Sequence, residues 1–407
     1  MHHSSKQTYR ARWLLPIDGD PIPNGMMAVD SGIVTSIGSF QDSQVEGDLV
    51  DLGDVAMIPG LVNAHTHLEF SDLTNPVGHP GMELADWIRE VIKTRGMVDT
   101  ATRQQHILKG HAEAIASGTQ LIADIVTTPL TAIPSNTIAF AEVLGLSRER
   151  GDERMTQAEL HHRNAAAKDL PDDSAAISPH APYSTPLPLI ERCVQHAKQY
   201  KTTIAMHVAE SPAERELLSQ GSGPFAESLQ ALGLPVEKYF PWPAASPLIQ
   251  LIDTLAKAPR ALIVHANDLN ETEIQHVATK RNCSVVFCPR THHFFQHSEH
   301  PVAKLQAAGI NVALGTDSRA SNPDLNLWRE LQFLLNHRQD LAPASVLEMA
   351  TLNGAHALGR SATYGSLKVG MPANFITVAT KADRVDQLWS DLSSSSSSST
   401  ARPAPQS

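Results

Sequence analysis

Residues 59–70, PGLVNAHTHLEF, carry His65 and His67 two apart at the end of an apolar run. In an extended strand residues i and i+2 share a face, so both imidazoles project together. That spread suits two ligands on one metal ion. Other apolar runs end in the same manner. HVAES offers His207 and Glu210, VHAND offers His265, GTDS offers Asp317, and SPHAPYS and CPRTHH bring His180 and Arg290. A single histidine at a strand end, or an Asp that caps a helix after Gly-Thr, is ordinary. Several strand ends presenting imidazole or carboxylate at one face point instead to a metal centre. Three imidazoles with one carboxylate suit Zn²⁺, with Fe²⁺ as another first-row candidate. No thiolate is required: Cys193, Cys283 and Cys288 are scattered and form no CxxC pair.

Such residues need a scaffold that delivers strand ends to one place. After residue 58 the sequence repeats short apolar, β-branched runs, each followed by helical periodicity. Eight runs can be read: GLVNAHTH, LIADIV, IAFAEVL, AAISPHAP, TIAMHVAE, ALIVHAND, SVVFCPR and VALGTDS. Between them HILKGHAEAIASG, LPLIERCVQHAKQY and HPVAKLQAAG repeat apolar residues at three- and four-residue spacing. Alternating strands and helices imply a parallel sheet, and eight of them imply an α/β fold of the closed (β/α)8 TIM-barrel kind. A doubly wound sheet would more often have fewer strands. Barrel active sites lie at the C-terminal strand ends, where the histidines fall.

Residues 1–58 read as short strands punctuated by Gly and Asp. Near the other end SVLEMATLNGAHALG reads as helical and YGSLKVGMPANFITVAT as short strands. The economical arrangement joins 1–58 and 346–390 in a small β-sandwich domain, with the metal-dependent barrel at 59–345. The segment 391–407, DLSSSSSSSTARPAPQS, has a seven-serine run and little to bury, and is expected to be a disordered tail.

The 407 residues carry a net charge of −11 without a Lys/Arg-rich stretch, which argues against a nucleic-acid surface. No run reaches the length of a membrane span, and the first twenty residues contain no apolar targeting core. Few, scattered cysteines fit a reducing cytosol, so a cytoplasmic location is expected. His2, His3, His161 and His162 sit in polar context and read as surface residues.

Taken together and in order, PGLVNAHTH, HVAES, VHAN and GTDS resemble the amidohydrolase superfamily in its cytosine-deaminase-like branch, over essentially residues 10–380. The resemblance implies a (β/α)8 barrel with a β-sandwich built from both termini. It implies metal ligation by His65, His67, His207 and Asp317, contact of His265 with the attacking water, and proton shuttling by Glu210. The residue chemistry agrees. A divalent ion lowers the pKa of a bound water towards ~7. Asp317 and His265 can accept its protons, and Glu210 can protonate a ring nitrogen and then the departing ammonia. Binuclear members bridge two metals with a modified lysine or a glutamate, commonly from the fourth strand. AAISPHAPY has neither, so one metal is expected, Zn²⁺ foremost.

Four stretches, HTHLEFSDL, MELADWIREVI, SPHAPYS and HVAESPAERELL, look most like aminofutalosine deaminases, which remove the 6-amino group of an adenine-type nucleoside. His180 matches a substrate-contacting histidine of the related methylthioadenosine/S-adenosylhomocysteine deaminases. Glu69 and Trp87 are expected to line the pocket, and Arg319 to pair with an anionic or carbonyl group of the substrate. CPRTHHFF departs from the CPxSN pattern of those enzymes and brings the bulkier, basic Arg290 to the barrel mouth. The expected activity is hydrolysis of a non-peptide C–N bond, by deamination of an aminopurine nucleoside or similar amino-heterocycle. Two alternatives stay open: a same-branch hydrolase acting on a triazine C–Cl bond or a cyclic amide, and a catalytically inactive barrel scaffold. The expected partner is a small heterocycle, with no nucleic acid and no membrane, and with a homodimer left open. The nucleobase-editing zinc deaminases require an HxE…PCxxC signature, which this sequence does not contain.

Overall fold

A computed structural model describes residues 6–395, apart from 97, 128, 130, 131 and 169–173. The chain divides into two compact units, one of residues 1–63, 112–121 and 326–407 and one of residues 64–111 and 122–325. Five strands come first: β1 (Lys6–Leu14), β2 (Ile22–Asp30), β3 (Ile33–Ser39), β4 (Asp48–Asp51) and β5 (Val55–Pro59). The β2–β3 turn places Ser31 and Gly32 at φ 52° and 79°, the left-handed pair that a tight hairpin of the right twist demands. One edge of β1 pairs antiparallel with β2; the other pairs parallel with β4 over Gln7–Arg10 and with β5 over Trp13–Leu14.

The second sheet has eight strands in sequence order: β6 (Leu61–Thr66), β7 (Thr119–Val126), β8 (Thr137–Val143), β9 (Ala175–Pro179), β10 (Thr203–Val208), β11 (Arg260–His265), β12 (Cys283–Phe287) and β13 (Asn311–Leu314). Each of the eight apolar runs in the sequence supplies one strand. β6, β9, β10 and β12 are buried at every position, so their sequences run apolar instead of alternating. The last strand comes back to the first. The amides of Thr316 and Asp317 both donate to the His65 carbonyl at 3.1 Å, and Thr66 and Asp317 form a parallel bridge. The result is a nearly closed parallel barrel.

The final strand, β14 (Phe375–Ala379), pairs antiparallel with β5, and Phe375 packs into the apolar core of Leu14, Met27, Val34 and Met57. The helical stretch read at SVLEMATLNGAHALG is two helices, Pro343–Met349 and Leu352–Ala357. It breaks where the Ala350 carbonyl accepts the Val62 amide at 2.9 Å. Residues 391–394 of the serine-rich segment form the last turn of a helix, Val385–Ser394. Leu392 is buried there, and Asp391 accepts from the Thr380 hydroxyl at 2.7 Å. The rest of the expected tail, from 396, lies outside the described residues. No helix among the described residues is long and apolar enough to cross a membrane.

His161 is not at the surface. It shares the inward face of the helix Arg148–Ala166 with Ala158 and Ala165, and its Nε2 donates to the Ala139 carbonyl at 3.0 Å. His2 and His3 lie outside the described residues. On the neighbouring helix, Leu187–Tyr200, His196 is buried 3.8 Å from Glu159. Burial outweighs that carboxylate and lowers the His196 pKa to about 4. As pH falls, the unfolded chain takes up this proton first, near ~6.5. The stability present at neutral pH is therefore lost progressively as pH drops from there towards 4. His196→Leu is expected to flatten that loss: its urea midpoint should fall less between pH 7 and pH 5 than the parent's. Equal slopes would exclude His196 as a contributor.

Candidate active site

The C-terminal strand ends converge on one side of the barrel, and the backbone there bends sharply. Ala209, His265, Ala266 and Asp317 adopt φ between 53° and 72°, which costs non-glycine residues energy unless the surroundings hold them. Here the surroundings do so. The Ala209 amide donates to Glu214 Oε1 at 2.6 Å, the Ala266 amide to the Val208 carbonyl at 3.0 Å, and His300 Nε2 to the His265 carbonyl at 2.8 Å. Each bend turns a strand-end side chain inward. Gly315 permits the last one: a Cβ there would come within 2.8 Å of the His65 carbonyl oxygen and 3.0 Å of Cys288 Sγ. Gly315→Ala is expected to cost about 1–3 kcal/mol of stability in urea and to lower metal uptake by displacing His65. Unchanged stability together with unchanged metal content would show that the strand end can yield.

His65, His207 and His265 offer ligand atoms within 4.8 Å of one another, and so do His65, His67 and Asp317. Asp317 Oδ1 lies 3.7 Å from Nε2 of both His65 and His67. His207 donates through Nδ1 to the His180 carbonyl at 2.7 Å, which leaves its Nε2 lone pair facing His65 Nε2 at 3.3 Å. That separation equals the edge of a tetrahedron with metal–nitrogen bonds of about 2.0–2.1 Å. Burial lowers the pKa of His65, His67 and His265 well below the usual value, and that of His207 to about 4. All four imidazoles are therefore neutral at physiological pH, as ligation requires. The residues fit a single divalent ion.

Glu210 Oε1 stands 3.4 Å from His265 Nε2. Burial, then the charges of Asp317 and Glu214, raise its pKa well above that of an ordinary carboxyl. Beneath it Glu214 accepts from the amides of Ala209 and Glu210 at 2.6 and 3.2 Å, fixing the loop that carries Glu210. Burial pushes Glu214 itself up to about 8.

These groups open into a cavity of about 480 Å³, within the usual range for small-molecule sites. Glu69, Trp87 and His180 line it, as do His67, His207, Glu210, His265 and Asp317. Glu69 is tied down: Arg95 pairs with its Oε1 at 2.9 Å, and Thr127 donates to its Oε2 at 2.8 Å. Trp87 donates to the Val77 carbonyl at 3.1 Å and presents its ring to the cavity. His180 shares a 2.7 Å hydrogen bond with Ser184 through Nδ1. Arg290 and Arg319 are not among the lining residues. Arg290 pairs with Asp324 at 2.7 Å, and Arg319 donates to the carbonyls of Leu73 and Pro323 at 3.2 and 2.9 Å. Sequence reasoning passed over Glu142, Asp124 and the Arg95–Thr127 pair. The signal for Asp124 and Glu142 was a lone carboxylate inside an apolar run, LIADIV and IAFAEVL. Asp124 accepts the Leu68 amide at 2.8 Å, and burial raises its pKa well above the ordinary range.

A nearly closed parallel barrel that gathers four imidazoles and a carboxylate at its C-terminal strand ends belongs to the class of barrel hydrolases able to hold a metal. More particularly, the chain belongs to the Amidohydrolase family, which matches residues 56–400. It is 27% identical to a 5-methylthioadenosine/S-adenosylhomocysteine deaminase of Nitratidesulfovibrio vulgaris, over 91% of this chain and 83% of that one. It is 29% identical to an aminodeoxyfutalosine deaminase of Deinococcus radiodurans, over 74% of this chain and 73% of that one. An adenosine deaminase from Xanthomonas campestris with bound zinc has the same fold, with a TM-score of 0.74 and 24% identity over 96% of this chain and 89% of that one. The superfamily resemblance carried by the four motifs is thereby established.

Proposed function

We propose that this protein is a metal-dependent aminohydrolase that removes the amino group of an aminopurine nucleoside. The observation that carries the reading is the Glu210 carboxyl, buried 3.4 Å from His265 Nε2 and beside the imidazole–carboxylate cluster, where burial raises its pKa well above that of an ordinary carboxyl. His65, His67, His207 and Asp317 would hold one divalent ion, with Zn²⁺ best suited to that donor set. When bound, such an ion lowers the pKa of water to about 7 and so supplies the nucleophile at neutral pH.

The chain's own groups move the protons. Glu210 protonates the ring nitrogen beside the amino-bearing carbon as the carbon–oxygen bond forms. Asp317 and His265 orient the incoming oxygen and accept its proton. Glu210, now a carboxylate, receives that proton and delivers it to the amino group, and the carbon–nitrogen bond breaks to release ammonia. The second proton of the original water then returns to Glu210 as the carbonyl forms. The balance is one water consumed, one ring N–H and one carbonyl formed, and one ammonia released. Hydrolysis of a C–Cl bond or a cyclic amide does not need this double delivery, and Glu210 therefore favours deamination. The named relatives act, by name, on adenine-type nucleosides, and the apolar helix walls of the cavity suit such a flat ring.

The three cysteines are buried and free, which fits a cytoplasmic location. The test is ammonia release by zinc-loaded protein from 5-methylthioadenosine, S-adenosylhomocysteine, aminodeoxyfutalosine and adenosine, against free adenine, guanine and cytosine. Turnover of a nucleoside is the expected result. Silence across the panel with metal bound would overturn it.

A further inference from the structure

We propose that Glu142 reads the sugar of the substrate, accepting hydrogen bonds from two neighbouring hydroxyls with its two carboxylate oxygens. This inference rests on the nucleoside reading above. Glu142 is the penultimate residue of β8 and stands opposite Ser178 of β9. The next residue, Val143, accepts the His180 amide at 3.0 Å, so Glu142 sits beside the strand end that delivers His180. Its side chain lines the same cavity as His67, His207 and Glu210.

The other carboxylates on that wall are engaged. Glu69 is held by Arg95 and Thr127, Glu210 faces His265, and Asp317 faces His65 and His67. Glu142 differs: among the described residues its carboxylate makes no hydrogen bond and no ion pair. Glu142 is half-buried, and a carboxylate in a cavity wall with no protein partner is free to accept from a ligand.

The surroundings decide which ligand group. Arg95 and Arg154 act on Glu142 electrostatically without pairing with it. Arg95 is occupied by Glu69 and Thr127, and Arg154 donates to the Thr127 carbonyl at 2.6 Å. Two fixed guanidinium groups disfavour a further cation at this spot but leave a neutral donor unaffected. Burial disfavours the charged carboxylate, and donated O–H bonds offset that penalty. Two adjacent hydroxyls match two carboxylate oxygens, which makes a ribose cis-diol the fitting chemistry.

The experiment compares adenosine with 2′,3′-dideoxyadenosine on zinc-loaded wild type, Glu142→Ala and Glu142→Gln, read by kcat/KM for ammonia release and, independently, by calorimetric binding. Glu142→Ala should lose roughly 10- to 100-fold on adenosine and under about threefold on the dideoxy analogue. Glu142→Gln, which keeps one acceptor, should fall between. The effect should appear mainly in KM, since the diol lies away from the reacting carbon. Equal weakening on both probes, or none, overturns the assignment. Glu142-dependent binding of adenosine without ammonia release would instead overturn the deaminase reading and leave the sugar contact standing. Binding of neither probe overturns both.

Discussion

Glu210→Gln will lower kcat by about 10²- to 10⁴-fold while leaving metal content unchanged. The amide keeps the shape and volume of the carboxyl, and Glu210 belongs to neither group of three whose ligand atoms converge. The loop should hold as well, because Glu214 binds the amides of Ala209 and Glu210 and not the Glu210 side chain. What is lost is a group able to give and take protons in turn. Burial raises the Glu210 pKa, which favours its protonated form, and lowers that of His265, which favours the neutral imidazole. The two groups face each other at 3.4 Å with their pKa values pushed in opposite directions, the separation of roles on which acid–base catalysis depends. A loss of this size corresponds to about 3–5.5 kcal/mol of transition-state stabilisation. Ammonia release from the best nucleoside, measured beside metal content by atomic absorption, checks it. Activity within tenfold of wild type would remove Glu210 from the proton path, and with it the main reason to prefer deamination.

How much of this could be seen in the sequence follows from how local each signal is. Period-two spacing at 65 and 67, and a polar residue closing each apolar run, are properties of single strands. The eight strands and the gathering of His65, His67, His207, His265 and Asp317 were therefore legible. Arg290 and Arg319 show where such reading stops. Both stand just after strands that feed the site, yet Asp324 claims Arg290 and the carbonyls of Leu73 and Pro323 claim Arg319; Asp324 and Leu73 come from other loops. Glu69 lines the cavity, but its ties to Arg95 and Thr127 join three separate elements and leave no mark in any one of them. His161 is a different case. Its polar neighbours hid a helical period, with Ala158 and Ala165 on the same inward face, that a stricter count of spacing would have found.

The metal itself carries the other large expectation. Chelation of the wild type should abolish activity, and returned Zn²⁺ should restore it at about one ion per chain. His65→Ala should not be restorable. His65 is the member common to both groups of three, and it lies with its Nε2 3.3 Å from His207 Nε2 and 3.7 Å from Asp317 Oδ1. Its removal leaves two incomplete sets that no longer share a corner. It also opens a small cavity in a fully buried position, so a folding defect must be told apart from a metal defect. The chelated wild type makes that distinction, since it loses the ion and keeps the side chain. Because an ion bound to the folded state alone stabilises it by about 4 kcal/mol at a thousandfold excess over Kd, Tm should fall on chelation and recover with Zn²⁺. In His65→Ala, Tm should start low and stay indifferent to Zn²⁺. A variant that still takes up one ion and turns over substrate would mean that His67, His207 and Asp317 suffice. A chelated wild type with full activity would mean that the cluster is a set of neutral, buried imidazoles with no part in the chemistry.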